Sequence, residues 1–166
     1  MIELQPEILT AEAFAPYGDV VESAESIAAE MNADSFQRFD DLCKVEANDG
    51  RVAISIARCR VATELPHQFA MVERHPHGSQ SFVPLTPCRM MVVVAPAGSA
   101  PKAADLRAFV SNGRQGINYH LGTWHMPLIA FDEDQEFLII DRVGDSPNCD
   151  LHDLDQPVTL LPGAAG

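Results

Sequence analysis

Through the middle of the chain, apolar residues recur at every second position rather than every third or fourth. Val52-Ala-Ile-Ser-Ile-Ala-Arg58 sets large apolar side chains at 52, 54 and 56 among smaller or polar ones, the period of a strand with one buried face. Arg58 shares the side of those apolar residues, and an inward-pointing Arg needs a partner. Residues 69–75, 80–83, 90–95, 127–131 and 137–142 are further strand candidates, separated by segments rich in Pro, Gly or charge. This spacing predicts a mainly β antiparallel sandwich or barrel. Helical signals are few. Thr10 caps a short helix over 11–17, with Glu12 in its first turn and Gly18 able to end it. Residues 103–109, inside an Ala/Pro/Gly-containing connection, are expected to make one or two helical turns. No boundary interrupts the pattern, so a single domain is expected over 1–166, with 160–166 frayed.

Composition narrows the class. A chain of 166 residues can bury its own core, and 46% apolar with 21% charged residues is the balance of a packed globular protein. The formal net charge of −13 and pI of about 4.6, with no local Lys/Arg cluster, argue against nucleic acid as a partner. A small anionic substrate remains compatible, because the wider field is screened beyond about 8 Å at physiological salt. The opening Met1-Ile-Glu-Leu-Gln-Pro6 has no secretory pattern, and no apolar run nears the roughly 20 residues of a membrane helix, so a cytoplasmic protein is expected. Cys43, Cys59, Cys88 and Cys149 are widely spaced, without a CxxC pair, and read as free thiols.

Candidate chemistry gathers on two turns. In Glu73-Arg-His-Pro-His-Gly-Ser-Gln80, residues 76–79 carry turn formers between two strand candidates, which reads as a hairpin. His75 and Gln80 would then face each other, with Glu73 on the face of His75. His120 and His125 likewise flank four residues, Leu-Gly-Thr-Trp, so a second hairpin is expected to bring these histidines together. Asn112-Gly113 is a turn signal, and Gly116 leaves room for backbone to approach a ligand. A single histidine is ordinarily a surface or hydrogen-bonded residue; His77, inside the first loop, is expected to point to solvent. Trp124 reads equally as core anchor or substrate wall, and Asp141-Arg142 as a structural ion pair or part of a site. The combination, in a domain too small to hide many unpaired polar groups, points to an enzyme site for a small polar metabolite.

The His-x4-Gln and His-x4-His spacings resemble the paired motifs of the cupin superfamily, small β-barrels with an internal site. The resemblance implies a cupin-like antiparallel β-barrel with a few short helices. The cupin metal-ligand positions, commonly three His and one Glu, correspond to Glu73, His75, Gln80 and His125. Two of the four depart from that pattern, and Gln is a weak ligand for a transition metal. A closer resemblance rests on Glu73-Arg-His-Pro-x-Gly-x-Gln80-x-Phe-x-Pro84, Leu106-Arg-Ala-Phe109, Asn112-Gly-x-Gln-Gly-x-Asn-Tyr-His120-x4-His125-x-Pro-Leu128, Ile140-Asp-Arg142 and Asn148-Cys-Asp150. With Glu12-Ala-Phe-x-x-Tyr-Gly-Asp-Val20, these motifs resemble the ureidoglycolate lyase family over nearly the whole chain.

That resemblance implies cleavage of ureidoglycolate to glyoxylate and urea during allantoin and purine nitrogen breakdown. It nominates Glu73, His75 and His125 as catalytic, and Arg58, Gln80, Asn118, His120, Trp124 and Arg142 as substrate-binding. Strand alternation turns Arg74 away from Glu73 and His75. No cofactor is certain; a divalent ion such as nickel or zinc would use His75, Gln80 and His125. A homodimer is implied, with 90–94 and 137–140 apolar enough to contribute. The competing readings are a metal-dependent cupin oxygenase or isomerase, which would take up oxygen with bound iron, and a non-enzymatic small-acid-binding cupin, which would bind without turnover.

Overall fold

The computed structural model describes residues 2–23, 29–33 and 35–163. One sheet runs in spatial order β1 (Ile2–Leu4), β14 (Asp150–Leu160), β7 (His67–Arg74), β12 (Trp124–His125), β9 (Met91–Ala95), β10 (Arg107–Val110) and β2 (Glu7–Ile8). The other is β3 (Gly18–Val21), β11 (Gly116–Tyr119), β8 (Gln80–Pro84), β13 (Glu136–Val143) and β6 (Arg51–Arg58). β4 (Ala29–Met31) and β5 (Phe36–Arg38) pair separately. The sheets curl into a half-barrel, a cupin-like β architecture. Most pairings are antiparallel; β1 with β14 and β2 with β10 are parallel.

Two apolar clusters sandwich the larger sheet. Phe82, Val92, Val94, Phe109, Ile117, Tyr119 and Phe137 meet between the sheets, whereas Val72, Met91, Val93, Leu106, Trp124 and Val158 lie on the opposite face. β9 is buried on both faces, which explains its unbroken apolar run. That burial also takes 90–94 away from any subunit contact.

Several expectations are revised. The helix α1 covers only Ala11–Phe14, capped by the Thr10 hydroxyl accepting from Ala13 N–H at 3.2 Å. Gly18 does not end it but opens β3, where a Cβ would lie 2.1 Å from the Asn118 carbonyl oxygen. Residues 103–109 form a single 3-10 turn, Ala103–Asp105, and then β10, because 107–110 complete the edge of β9. Residues 127–131 are not a strand; the Ala130 carbonyl accepts from Thr63 N–H and Ala130 packs into the core. β14 was missed because charge and Pro157 disguise it, and a register shift between Asp153 and Val158 accommodates that interruption. Leu160 is fully buried and Leu161 N–H bonds the Leu4 carbonyl, so fraying does not begin at 160; residues 164–166 lie outside the described residues.

The period in β6 was legible but its sense was reversed. Val52, Ile54 and Ile56 are 46%, 70% and 60% exposed, and Arg58 stands with them in solvent, bonded to Glu136. The other side of β6 carries Ala53, Ser55 and Ala57, small residues beside Asp141, Ile139 and Phe137 of β13, with Ala53 and Ala57 half-buried and Ser55 exposed.

Candidate active site

Neither histidine-bearing turn is a hairpin. β7 belongs to one sheet and β8 to the other, and β11 and β12 are divided in the same way. Both turns therefore carry the chain across from sheet to sheet, and they deliver Glu73, His75, Gln80 and His125 to the inter-sheet space. His125 pairs across the ladder with Glu73, and its Nε2 lies 3.5 Å from Glu73 Oε1. The rings of His75 and His125 are 5.2 Å apart, and Tyr119 stacks on His125 at 4.2 Å. His75 Nε2 meets Gln80 Oε1 at 3.1 Å, and the Gln80 amide nitrogen is 3.5 Å from Asp141 Oδ2. Glu73, His75, His125 and Gln80, singled out in the sequence, thus converge.

Hydrogen bonds orient both imidazoles. His75 Nδ1 lies 2.6 Å from the Asn148 carbonyl oxygen and His125 Nδ1 lies 2.9 Å from that of Thr123. A carbonyl only accepts, so each Nδ1 carries a proton; on His125 this leaves Nε2 open toward the cluster, whereas His75 Nε2 is held against the Gln80 side-chain amide. His125 is 1% exposed, and its Nε2 has no hydrogen-bond partner among the described residues. A buried polar atom left this way costs about 1–3 kcal/mol, which marks it as a place where a ligand completes the structure.

The electrostatics favour an ionised Glu73. The His125 imidazole, 3.5 Å away, is the largest influence holding its carboxyl below the ordinary 4.5, against the opposing effect of burial, with smaller help from His75 and a bond from the Cys149 thiol. The Cys149 thiol, 3.7 Å from Glu73 Oε2, is pushed up by burial and by the adjacent carboxylate, so it remains a donor. Burial, followed by the Glu73 charge, raises the Tyr119 phenol and keeps that ring neutral. Tyr119, Asn148 and Cys149 were not identified as site residues; their positions in the Asn118-Tyr-His120 and Asn148-Cys-Asp150 motifs were the available signal.

Other candidates stand elsewhere. Asn118 and His120 face the outer side of their sheet. Asn118 Nδ2 and His120 Nε2 bond the two oxygens of Asp19, and Asn118 Oδ1 accepts from the Ser81 hydroxyl. Burial tends to raise the Asp19 carboxyl, but bonds from Lys44 N–H, His120 and Asn118 prevail and hold it below 3.8. This network fastens the segment near Lys44 to the sheet; His120 and His125 do not meet. Trp124 lies in the core on the far face of its sheet, with the Arg74 guanidinium over its ring at 4.6 Å. Arg74 also bonds Asp150 and the Gly98 carbonyl, on the side away from Glu73. Arg142 and Asp141 point to opposite faces of β13; Arg142 is buried and bonds the carbonyls of Asn48, Asp49 and Ser146. Gly116 serves strand packing, since a Cβ there would lie 2.9 Å from the Phe82 carbonyl oxygen. His77 is pinned through its backbone, by Asn148 Oδ1 and Asn48 N–H.

Glu73, His75 and His125 each offer a ligand atom within 4.8 Å of the others. With both Nδ1 atoms tied to carbonyls and one buried Nε2 unpartnered, two imidazoles and a carboxylate form a set of ligand atoms of the kind that holds a metal ion.

The ureidoglycolate lyase family model matches residues 1–161. Relatives named ureidoglycolate lyase include one from Pseudomonas syringae pv. tomato, 45% identical over 97% of this chain and 95% of its own length. Another, from Pseudomonas entomophila, is 47% identical over 97% of both chains, and one from Azotobacter vinelandii is 44% identical over 95% of this chain and 96% of its own. Similarity at this level over nearly the whole length leaves one conclusion: the chain belongs to the ureidoglycolate lyase family.

Proposed function

We propose that this protein cleaves ureidoglycolate to glyoxylate and urea, a step in allantoin breakdown, with Glu73 as base and His125 as acid. The observation that carries the residue roles is the buried, unpartnered His125 Nε2 beside an ionised Glu73. Glu73 takes the proton from the substrate hydroxyl, the oxygen's electrons form the carbonyl, and the C–N electron pair leaves on the urea nitrogen. Protonated His125 supplies that nitrogen with its proton. The reaction is proton-neutral overall, and transfer from Glu73 back to His125 across the short gap restores both groups. His75 and Gln80 hydrogen-bond the substrate's polar groups from the turn they share. Arg58 and Arg142 are already committed to protein partners and have no part in this reading. A divalent ion held by Glu73, His75 and His125 would polarise the substrate hydroxyl in place of the proton transfers assigned to Glu73 and His125, because the same atoms would be its ligands. The free cysteines suit a cytoplasmic protein, and no helix among the described residues is long and apolar enough to cross a membrane.

Incubating the purified protein with racemic ureidoglycolate, with and without prior chelation, tests this reading by the yields of glyoxylate, urea and ammonia. The expected result is accelerated glyoxylate release with equal urea and no ammonia. Ammonia in place of urea would mean hydrolysis of the ureido group, and no acceleration over spontaneous breakdown would sink the reading. Chelated protein at full activity would remove the metal.

A homodimer is part of the proposal. Edge strand β6 exposes Val52, Ile54 and Ile56, and the outward residues Leu138 and Ile140 of β13 extend the apolar surface beside them. A second copy paired about a two-fold axis would cover both that face and the open edge. Sedimentation velocity should find a dimer at micromolar concentration, and Ile54→Glu with Ile56→Glu should give a folded monomer. A monomeric unmodified protein would contradict the assignment.

A further inference from the structure

Arg142 is buried, yet its hydrogen bonds run to backbone carbonyls and one hydroxyl. Nε bonds Asn48 O at 2.6 Å, Nη1 bonds Ser146 O at 3.0 Å, and Nη2 bonds both Asp49 O and Ser146 Oγ. Three glycines from separate segments close on the same side chain. A Cβ at Gly50 would lie 3.0 Å from Arg142 Nε, one at Gly78 would lie 2.6 Å from Arg142 Cβ, and one at Gly144 would lie 2.4 Å from Nη2. Larger residues at these positions would force the packing apart. Burying a guanidinium is costly, and here it is offset by carbonyl dipoles from two loops that the fork holds together.

One of those loops reaches the active site. Beyond Ser146, the Asn148 carbonyl accepts from His75 Nδ1, Asn148 Oδ1 accepts from His77 N–H at 2.7 Å, and Cys149 donates to Glu73. The segment 144–149 therefore touches two of the three convergent residues while anchored on Arg142.

We propose that Arg142, acting through Ser146 and Asn148, is a positioning residue. It locks the 144–149 segment so that the Asn148 carbonyl keeps the His75 proton on Nδ1 and turns Nε2 into the site. This role replaces substrate binding by Arg142. Its fork is spent on protein groups, and what reaches the reaction centre is the geometry it imposes. The inference rests on His75 belonging to the active site, as proposed above.

The test uses Arg142→Lys, which keeps the charge and loses the fork, and Asn148→Ala, which loses the bond to His77 on a solvent-facing loop. Two readouts are taken: kcat and KM for ureidoglycolate, and the 15N signals of the His75 ring in substrate-free protein. Expected in both variants are a tenfold or greater fall in kcat with KM held within twofold, and a shift of His75 from the Nδ1–H tautomer to a mixture. A tenfold rise in KM with unchanged kcat in Arg142→Lys would overturn the proposal by placing that residue on the substrate. An unchanged tautomer in Asn148→Ala would also overturn it, and this readout does not require Arg142→Lys to fold. If the unmodified protein shows no turnover, the lyase reading fails while the tautomer result still decides whether Arg142 and Asn148 position His75.

Discussion

Glu73→Gln is expected to lower turnover by about 10²–10⁴, equivalent to roughly 3–5 kcal/mol of barrier, while leaving the fold intact. The amide preserves the shape of the carboxyl and its contact with Cys149, but it cannot take the hydroxyl proton. Initial rates of glyoxylate release check this, and a variant retaining more than half of wild-type kcat would remove Glu73 as the base. The pH dependence carries a definite sign. Because His125 and its neighbours hold the Glu73 carboxyl below 4.5, the base is ionised through neutral and mildly acidic pH. Its contribution to activity should fall only as pH drops through that lowered value. Stability follows the same direction: the depressed carboxyl contributes above about 4.5 and the contribution is lost as pH falls through the folded value. An acid limb of kcat centred near 6.5 would belong to an imidazole instead.

His125→Phe should separate activity from stability. The change keeps an aromatic ring stacked on Tyr119 and removes the unpartnered Nε2 from a buried position. It gives up the bond to the Thr123 carbonyl, worth about 0.5–1.5 kcal/mol, together with the attraction to the Glu73 carboxylate, and relieves an unsatisfied group costing about 1–3 kcal/mol. The extra ring volume uses part of that gain. Turnover should therefore drop by about 10²–10⁴ while the unfolding free energy in urea stays within about 1–2 kcal/mol of wild type. A loss of more than about 3 kcal/mol would show that the histidine serves the fold, and retained turnover would show that it does not serve the reaction. A stable, inactive variant is the signature of a residue retained against its local energetic interest.

The contrast between sequence and structure is clearest at the two histidine turns. Reading each as a hairpin correctly brought Glu73, His75 and Gln80 together, although the reason was wrong. His75 and Gln80 meet at a corner between sheets, and Glu73 faces His125 from a strand far along the chain. The same reading failed for His120, because one step of alternation beyond Tyr119 puts it outside, where Asp19 takes it. Alternation also separates Trp124 from His125 and Arg142 from Asp141. Adjacent motif residues thus divide between the inter-sheet cluster and the scaffold around it.

What the sequence determined by itself was local and chemical: the β period of 52–58 and 137–142, the Thr10 cap, and the family through motifs spread over its length. These follow from nearest-neighbour sterics, side-chain chemistry and residue identity, which the linear order contains. Only the tertiary structure decided which face of a period points inward. In β6 the larger residues lie outside because β13 sets Phe137 and Ile139 on the inner side, leaving space there for alanine and serine. It also decided the assignments of charge: Arg142 to the carbonyls of two loops, Glu73 to His125, and the Asn148 carbonyl to His75. Apart from Arg142 with Ser146, those pairings join residues tens of positions apart, and a hydrogen bond a few ångströms long is specified by how the sheets pack rather than by any segment alone.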